Sequence, residues 1–229
     1  MGRMSKTYDG LADWYDREVR TGAGAEVSRL AVDVAIQLLG AGPGRLLDIG
    51  CGTGIAFRAV TASGWSPVGV DLSKDQLSLA SPLLPGRVIQ ADARNLPFDS
   101  GSFDAGLSLL SHTDIGDPEA VFAEAARVLR ARARFVHVGT HPCFVTPFFQ
   151  RRPGPPFTAH EGYRQMAFHP SGPGFGTGIR GRVGAYHVPL GSLLTQFAAR
   201  FEIDEVVEPG NEDYPILLAL CGRRRGGRF

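Results

Sequence analysis

The sequence predicts an α/β protein: a doubly wound, mainly parallel seven-stranded sheet with an antiparallel last strand and a lid insertion after the fifth strand. Three observations predict it. Short apolar runs of strand length alternate with stretches of helical periodicity as far as residue 140. A Gly-rich turn, Gly50-Cys51-Gly52-Thr53-Gly54, lies where the first apolar run gives way to a helix. The last two apolar runs are joined by a connection around Glu208-Pro209-Gly210-Asn211, too short to link parallel neighbours.

The elements follow in order. Val27, Leu30, Ala31, Val34 and Leu38 recur at helical spacing over 26–39, and glycines between 40 and 44 end the pattern. A strand at 45–49, a helix at 55–63 and a strand at 67–70 make a βαβ unit, continued by a helix at 74–84 and a strand at 87–90. After the turn Asp99-Ser100-Gly101 come a strand at 103–110, an amphipathic helix at 119–129 and a buried strand at 134–139. Residues 141–188 then turn rich in Gly, Pro and aromatics, which is the composition of a lid with apolar surface to cover. A helix at 190–201 and strands at 202–207 and 216–221 complete the sheet. The expected organisation is a core over 1–140, a lid over 141–188 and a closing segment over 189–229.

Composition narrows the function. Lys and Arg number 24 against 23 for Asp and Glu, so no global field recommends nucleic acid or an anionic membrane as partner. The cluster Arg223, Arg224, Arg225 and Arg228 is expected to be a solvated tail. The three cysteines, Cys51, Cys143 and Cys221, show no metal-ligand spacing and suggest reduced thiols; no metal is expected. No apolar stretch is long enough to span a bilayer and 1–16 lacks a signal-peptide run, so a cytoplasmic, soluble monomer or homodimer is expected.

The chemistry gathers at strand ends. Glycines in the 50–54 turn let the backbone pass close to a ligand, and the following helix N-terminus is expected to offer N–H groups to a carboxylate. Ile55 stands where a dinucleotide fingerprint needs glycine, and no Gly-Lys-Ser/Thr follows, so neither that fingerprint nor a Walker loop is present. Asp71 ends the second strand, where it can accept from a ribose diol, while Ser73 is the better cap for the next helix. Asp92 ends the third, where it can meet an exocyclic adenine amine or serve as a turn carboxylate.

Taken together, Tyr8-Asp9, Tyr15-Asp16, Asp48 to Gly54, Asp71, Asp92-Ala93, Leu96-Pro97-Phe98, Ser102-Phe103-Asp104 and Arg127-Val128-Leu129-Arg130 resemble the class I S-adenosylmethionine-dependent methyltransferases. The similarity is to the small-molecule branch of ubiquinone and menaquinone methyltransferases, the methyltransferase type 11 domain, over roughly residues 7–140. It implies a Rossmann-like fold and S-adenosyl-L-methionine as cofactor. By position, the backbone of Gly50, Cys51, Gly52 and Gly54 would approach the methionine part, with Asp48 steering the amino group and Tyr15 leaning on that end. Asp71, beside Leu72, would hold the ribose, and Asp92 with Ala93 would read the adenine. Ser108 and Leu109 would line the path of the methyl group.

Two departures from the family stand out. Ala131-Arg132-Ala133 replaces a Pro-Gly-Gly turn before the fifth strand, and Leu110-Ser111-His112-Thr113-Asp114 replaces the Asn/Asp-Pro-Pro-Tyr/Phe motif of enzymes acting on nucleobase amines. Where an acceptor must lose a proton, the candidate bases are His112, after the fourth strand, and His141, after the fifth, each with a structural role as its alternative. Phe144, Phe148, Phe149, Tyr163 and Tyr186 are the expected acceptor contacts, for a small aromatic or apolar molecule. An RNA or protein methyltransferase and a non-catalytic cofactor-binding domain are the other readings that these motifs allow.

Overall fold

A computed structural model describes residues 8–150 and 157–226. Its core runs α1 (Ala12–Arg20), α2 (Ala25–Leu39), β1 (Gly44–Ile49), α3 (Phe57–Ala62), β2 (Trp65–Asp71), α4 (Lys74–Ala80), β3 (Val88–Gln90), β4 (Phe103–Leu109), α5 (Pro118–Val128) and β5 (Leu129–Thr140). Between β5 and the closing segment lie β6 (Phe149–Gln150), β7 (Thr158–Ala159), β8 (Ala167–His169), α6 (Ile179–Val183) and β9 (Ala185–His187). The chain closes with α7 (Leu190–Ala198), β10 (Phe201–Val207) and β11 (Leu217–Arg224).

Seven strands form one sheet in the order β10-β11-β5-β4-β1-β2-β3. Strands β1 to β5 pair in parallel, and β11 lies antiparallel between β5 and β10. The sheet is buried on both faces, and β1 shows why its sequence is continuously apolar. Leu46 packs with Ala31, Leu38 and Val60 on one face, whereas Leu47 and Ile49 join Phe103, Phe122 and Phe135 on the other. Chain order reverses between β1 and β4, and a crevice opens at the carboxyl ends of strands at such a switch point.

Local chemistry positions the elements that border this crevice. Ser73 caps α4 by accepting from Gln76 N–H at 3.4 Å, and Asp117 caps α5 by accepting from Ala120 N–H at 3.0 Å with Pro118 at the first helical position. Asp71 is therefore released from capping.

Several expectations shift. Strand β5 begins at Leu129 rather than Arg134, because a register shift places Phe103 opposite Leu129 and Ala105 opposite Arg134. Arg132 takes φ 64° inside that bulge, which is how the chain turns there without Pro-Gly-Gly. Helix α7 ends at Ala198 and Phe201 already belongs to β10. The C-terminal arginines are not a frayed tail: Arg223 pairs with Asp204 at 2.9 Å, Arg224 reaches Leu129 O at 2.5 Å and Arg225 reaches Ala198 O at 2.8 Å. Arg228 lies outside the described residues. Among those residues no helix is long and apolar enough to cross a membrane.

Candidate active site

A cleft with about 790 Å³ of open space lies at the switch point, bordered by Tyr8, Tyr15, Gly50, Gly52, Asp71 to Ser73, Gln76, Asp92, Ala93, Leu109 to Ser111 and Asp114. Its floor is the Gly-rich turn. A Cβ on Gly50 would lie 2.8 Å from Ser111 Cβ, and one on Gly52 would lie 2.7 Å from Gln76 Oε1. Both residues also sit at positive φ, 72° and 55°, so glycine is required twice over.

Four N–H groups of the turn are engaged within the protein. Gly50 and Cys51 N–H donate to Val70 O, Gly54 N–H donates to Cys51 O, and Gly52 N–H donates to Asp71 Oδ2 at 2.9 Å. Helix α3 starts only at Phe57 and spans six residues, so the expected anion seat at its N-terminus is not formed.

Asp71 keeps the expected place. Its second oxygen accepts from Ser73 N–H at 2.9 Å, which fixes the carboxylate while leaving lone pairs toward the cleft. Burial raises its pKa, against the lowering effect of the Ser73 and Gly52 N–H groups. Asp48 lines an adjoining recess with Tyr15, Cys51, Thr53 and Leu109. Its Oδ1 and the Thr53 hydroxyl are buried there without a hydrogen-bond partner. Burial, helped by the Asp71 charge, pushes the Asp48 carboxyl up to about 7. A pair of unpartnered atoms, one acidic and one a hydroxyl, suits a zwitterionic end bearing an ammonium and a carboxylate.

Other predicted residues are placed differently. Asp92 borders the cleft, but Arg94 grips it, Nη2 to Oδ2 at 2.5 Å and Nε to Oδ1 at 2.9 Å, and that guanidinium holds its carboxyl below the usual range. Leu72, Ala93 and Leu109 line the cleft. Gly54 instead makes room for the Phe57 ring, and Ser108 is buried, bonded to Ser111 Oγ at 2.7 Å and His137 Nδ1 at 3.3 Å.

Neither histidine stands at the cleft. Both His141 ring nitrogens are engaged: Nδ1 accepts from Cys143 N–H at 3.1 Å, so Nε2 carries the proton and donates to Glu208 at 2.7 Å. His112 is buried under the lid, where burial and then His137 hold its pKa well below the ordinary histidine value. None of the five expected acceptor contacts borders the cleft, although Tyr186 lines a recess beside His112 and Thr113. Phe144 and Phe149 pack into one cluster with Phe157 and Tyr214, and Phe148 packs on His169 and His187. Tyr163 accepts from Leu190 N–H at 2.9 Å, and the Tyr186 ring covers Gly116.

The segment after β5 instead reaches the site through Arg180 of α6. Its guanidinium makes a two-point pair with Asp114, Nη1 to Oδ1 at 2.6 Å and Nη2 to Oδ2 at 3.1 Å, and Tyr8 OH donates to the same carboxylate at 3.0 Å. Burial pulls the Arg180 pKa down, but Asp114 and the two tyrosines outweigh it and keep the group charged. Arg182 caps the Trp14 ring at 4.2 Å. Tyr8, Thr53, Gln76, Ser111 and Asp114 lie outside the predicted set. The switch-point rule points to Ser111 and Asp114 just past β4, and the Tyr8-Asp9 motif points to Tyr8.

Residues 47–137 match a family model described as a methyltransferase domain. Over this stretch the chain is similar to methyltransferase domains. The chain is 32% identical over 141 residues to a demethylmenaquinone methyltransferase of Clavibacter sepedonicus, covering 59% of this chain and 57% of that protein. It is 31% identical over 155 residues to an O-methyltransferase of Penicillium expansum, covering 63% of this chain and 56% of that one. The chain thus spans little more than half the length of these relatives. An S-adenosylmethionine-dependent methyltransferase from Mesorhizobium loti shares the fold, with a TM-score of 0.68 at 23% identity over 94% of this chain and 99% of that one.

Proposed function

We propose that this protein transfers the methyl group of S-adenosylmethionine to a small, largely apolar molecule. The observation that carries the reading is the cleft itself, where Asp71 is held by Gly52 and Ser73 N–H groups beside the unpartnered Asp48 and Thr53 side chains. Asp71 would accept from the ribose hydroxyls, and Ala93 and Leu72 would bracket the base. Asp48 would hold the ammonium and Thr53 would donate to the carboxylate. When bound, the cofactor supplies an electrophilic methyl on a sulfonium.

A mostly apolar cavity, with about 830 Å³ of open space, adjoins this cleft and shares Tyr15 and Leu110 with it. Leu110 takes φ 56°, an uncommon conformation for a branched residue that concentrates at functional positions. Tyr15 and Leu110 would set the line between methyl and acceptor, while α6 excludes water. The ionisable groups of the cavity wall are Tyr15, Glu18 and Arg180. Burial raises the Tyr15 hydroxyl well above its ordinary pKa, so it stays neutral, and the acceptor's own ionisation is expected to govern reactivity.

Titration calorimetry with S-adenosylmethionine tests the cofactor half. Asp71→Ala loses two charge-assisted hydrogen bonds and should raise Kd by roughly two powers of ten. An affinity within a few-fold of the unaltered protein would remove Asp71 from the site. Formation of S-adenosylhomocysteine with a panel of phenols, amines and enols tests the transfer half.

A further inference from the structure

The apolar cavity does not end at its own walls. A narrow recess, with about 10 Å³ of free space and so room for one water-sized group, shares Thr140, Val145, Phe175 and Arg180 with it and runs toward His112 and Thr113. Three side-chain atoms of this recess, Thr113 Oγ1, Thr140 Oγ1 and His112 Nδ1, are buried without a hydrogen-bond partner among the described residues. Thr113 and His112 are each only 6% exposed. Buried polar groups are seldom left unpaired, so three around one recess call for an occupant. The two threonine hydroxyls rotate to donate or accept, whereas His112 Nδ1 packs against Gly139, where a Cβ would stand 2.1 Å away. The threonines are therefore the pair that can meet a guest.

We propose that this recess is an oxygen-anchoring subsite for the methyl acceptor. The acceptor's flat apolar body lies in the larger cavity among Val19, Val27, Phe175 and Ile179, and one hydroxyl or carbonyl oxygen enters the recess to bond Thr113 and Thr140. The methyl-receiving atom then stands at the opposite end, by Tyr15 and Leu110. The acceptor is accordingly an apolar ring compound with an oxygen substituent remote from the methylated atom. This inference rests on the acceptor cavity described above.

The test uses the full chain saturated with S-adenosylhomocysteine and two probes, naphthalene and 2-naphthol, titrated by fluorescence. The unaltered protein should bind 2-naphthol at least about tenfold more tightly than naphthalene. Thr113→Val and Thr140→Val, which keep shape but remove the hydroxyl, should each narrow that ratio, and together bring it to within about twofold. Naphthalene and S-adenosylhomocysteine affinities should stay unchanged, and Thr113→Ser with Thr140→Ser should retain the preference. Equal binding of both probes by the unaltered protein, or a preference that survives in the double valine variant, would overturn the subsite. Failure to bind either probe with cofactor affinity intact also overturns it. Loss of S-adenosylhomocysteine binding by the unaltered protein would instead remove the methyltransferase reading.

Discussion

Folding brings the protonation of Asp48 into the neutral pH range. Its carboxyl is pushed up to about 7 by burial and by Asp71, above an unfolded value of about 3.9. The folded empty protein binds that proton more tightly, so this group's contribution is full below pH 4 and is lost as pH rises through about 7. His137 works the other way: burial lowers it to about 4, so its contribution holds above about pH 6.5 and is lost as pH falls toward 4. An ammonium held against Asp48 favours the carboxylate, so cofactor-product binding should release a proton below pH 7. Its affinity should rise about tenfold from pH 6 to pH 8. Calorimetry in buffers of different ionisation enthalpy reads that proton directly. Asp48→Asn should flatten the dependence and raise the melting temperature of the empty protein at pH 8, while weakening S-adenosylhomocysteine. A slope that persists in the variant would assign the proton to another group.

Helix α6 has five residues, too few to be stable by itself, and is held in place by what its side chains grip. Arg180 and Asp114 are 13% and 22% exposed, so their two-point pair is a largely buried tie between α6 and the loop after β4. Breaking a buried pair by removing one partner costs about 3 kcal/mol or more, because the other charge is left behind. Arg180→Met should therefore speed amide exchange over residues 178–188 well before the sheet is affected. Exchange that rises equally in β1 and β5 would show that α6 is part of the cooperative core. The aromatics of the lid divide by role in the same way. Phe175 borders the acceptor cavity, so Phe175→Ala should raise the acceptor KM with little change in cofactor affinity. Phe149, stacked on Phe157 and packed near Tyr214, should lower the melting temperature when truncated and leave KM nearly unchanged.

Over the whole molecule, the last strand in sequence is an interior strand in space. Strand β11 covers what would be the exposed edge of β5 and receives β10 on its other side. Leu220 is fully buried there and belongs to the core that includes Phe135, Phe197 and Phe201. Truncating such a leucine costs about 2–5 kcal/mol, and for a chain of this size each kcal/mol moves Tm by about 2–4 °C. Leu220→Ala should lower Tm by roughly 5–15 °C as a single transition, with S-adenosylhomocysteine binding lost at the same temperature. Binding lost well below the main transition would show that the cleft unfolds independently of the C-terminal strands.

The sequence by itself determined the alternation of strands and helices, the antiparallel last strand, the glycine turn and the two strand-end aspartates that border the cleft. Each depends on a local pattern: period-two and period-3.6 burial, a residue that must adopt positive φ, or a carboxylate placed next to a better cap such as Ser73. Only the tertiary structure decided which polar atoms find partners. His141 is occupied by Glu208, 67 residues away, Asp114 by Arg180, 66 residues away, and the N–H groups of the glycine turn by Val70, Asp71 and Cys51. It also left Thr113 and Thr140 without partners. Hydrogen-bond pairing between distant segments is set by how the sheet and lid pack, and no short-range pattern along the chain encodes it.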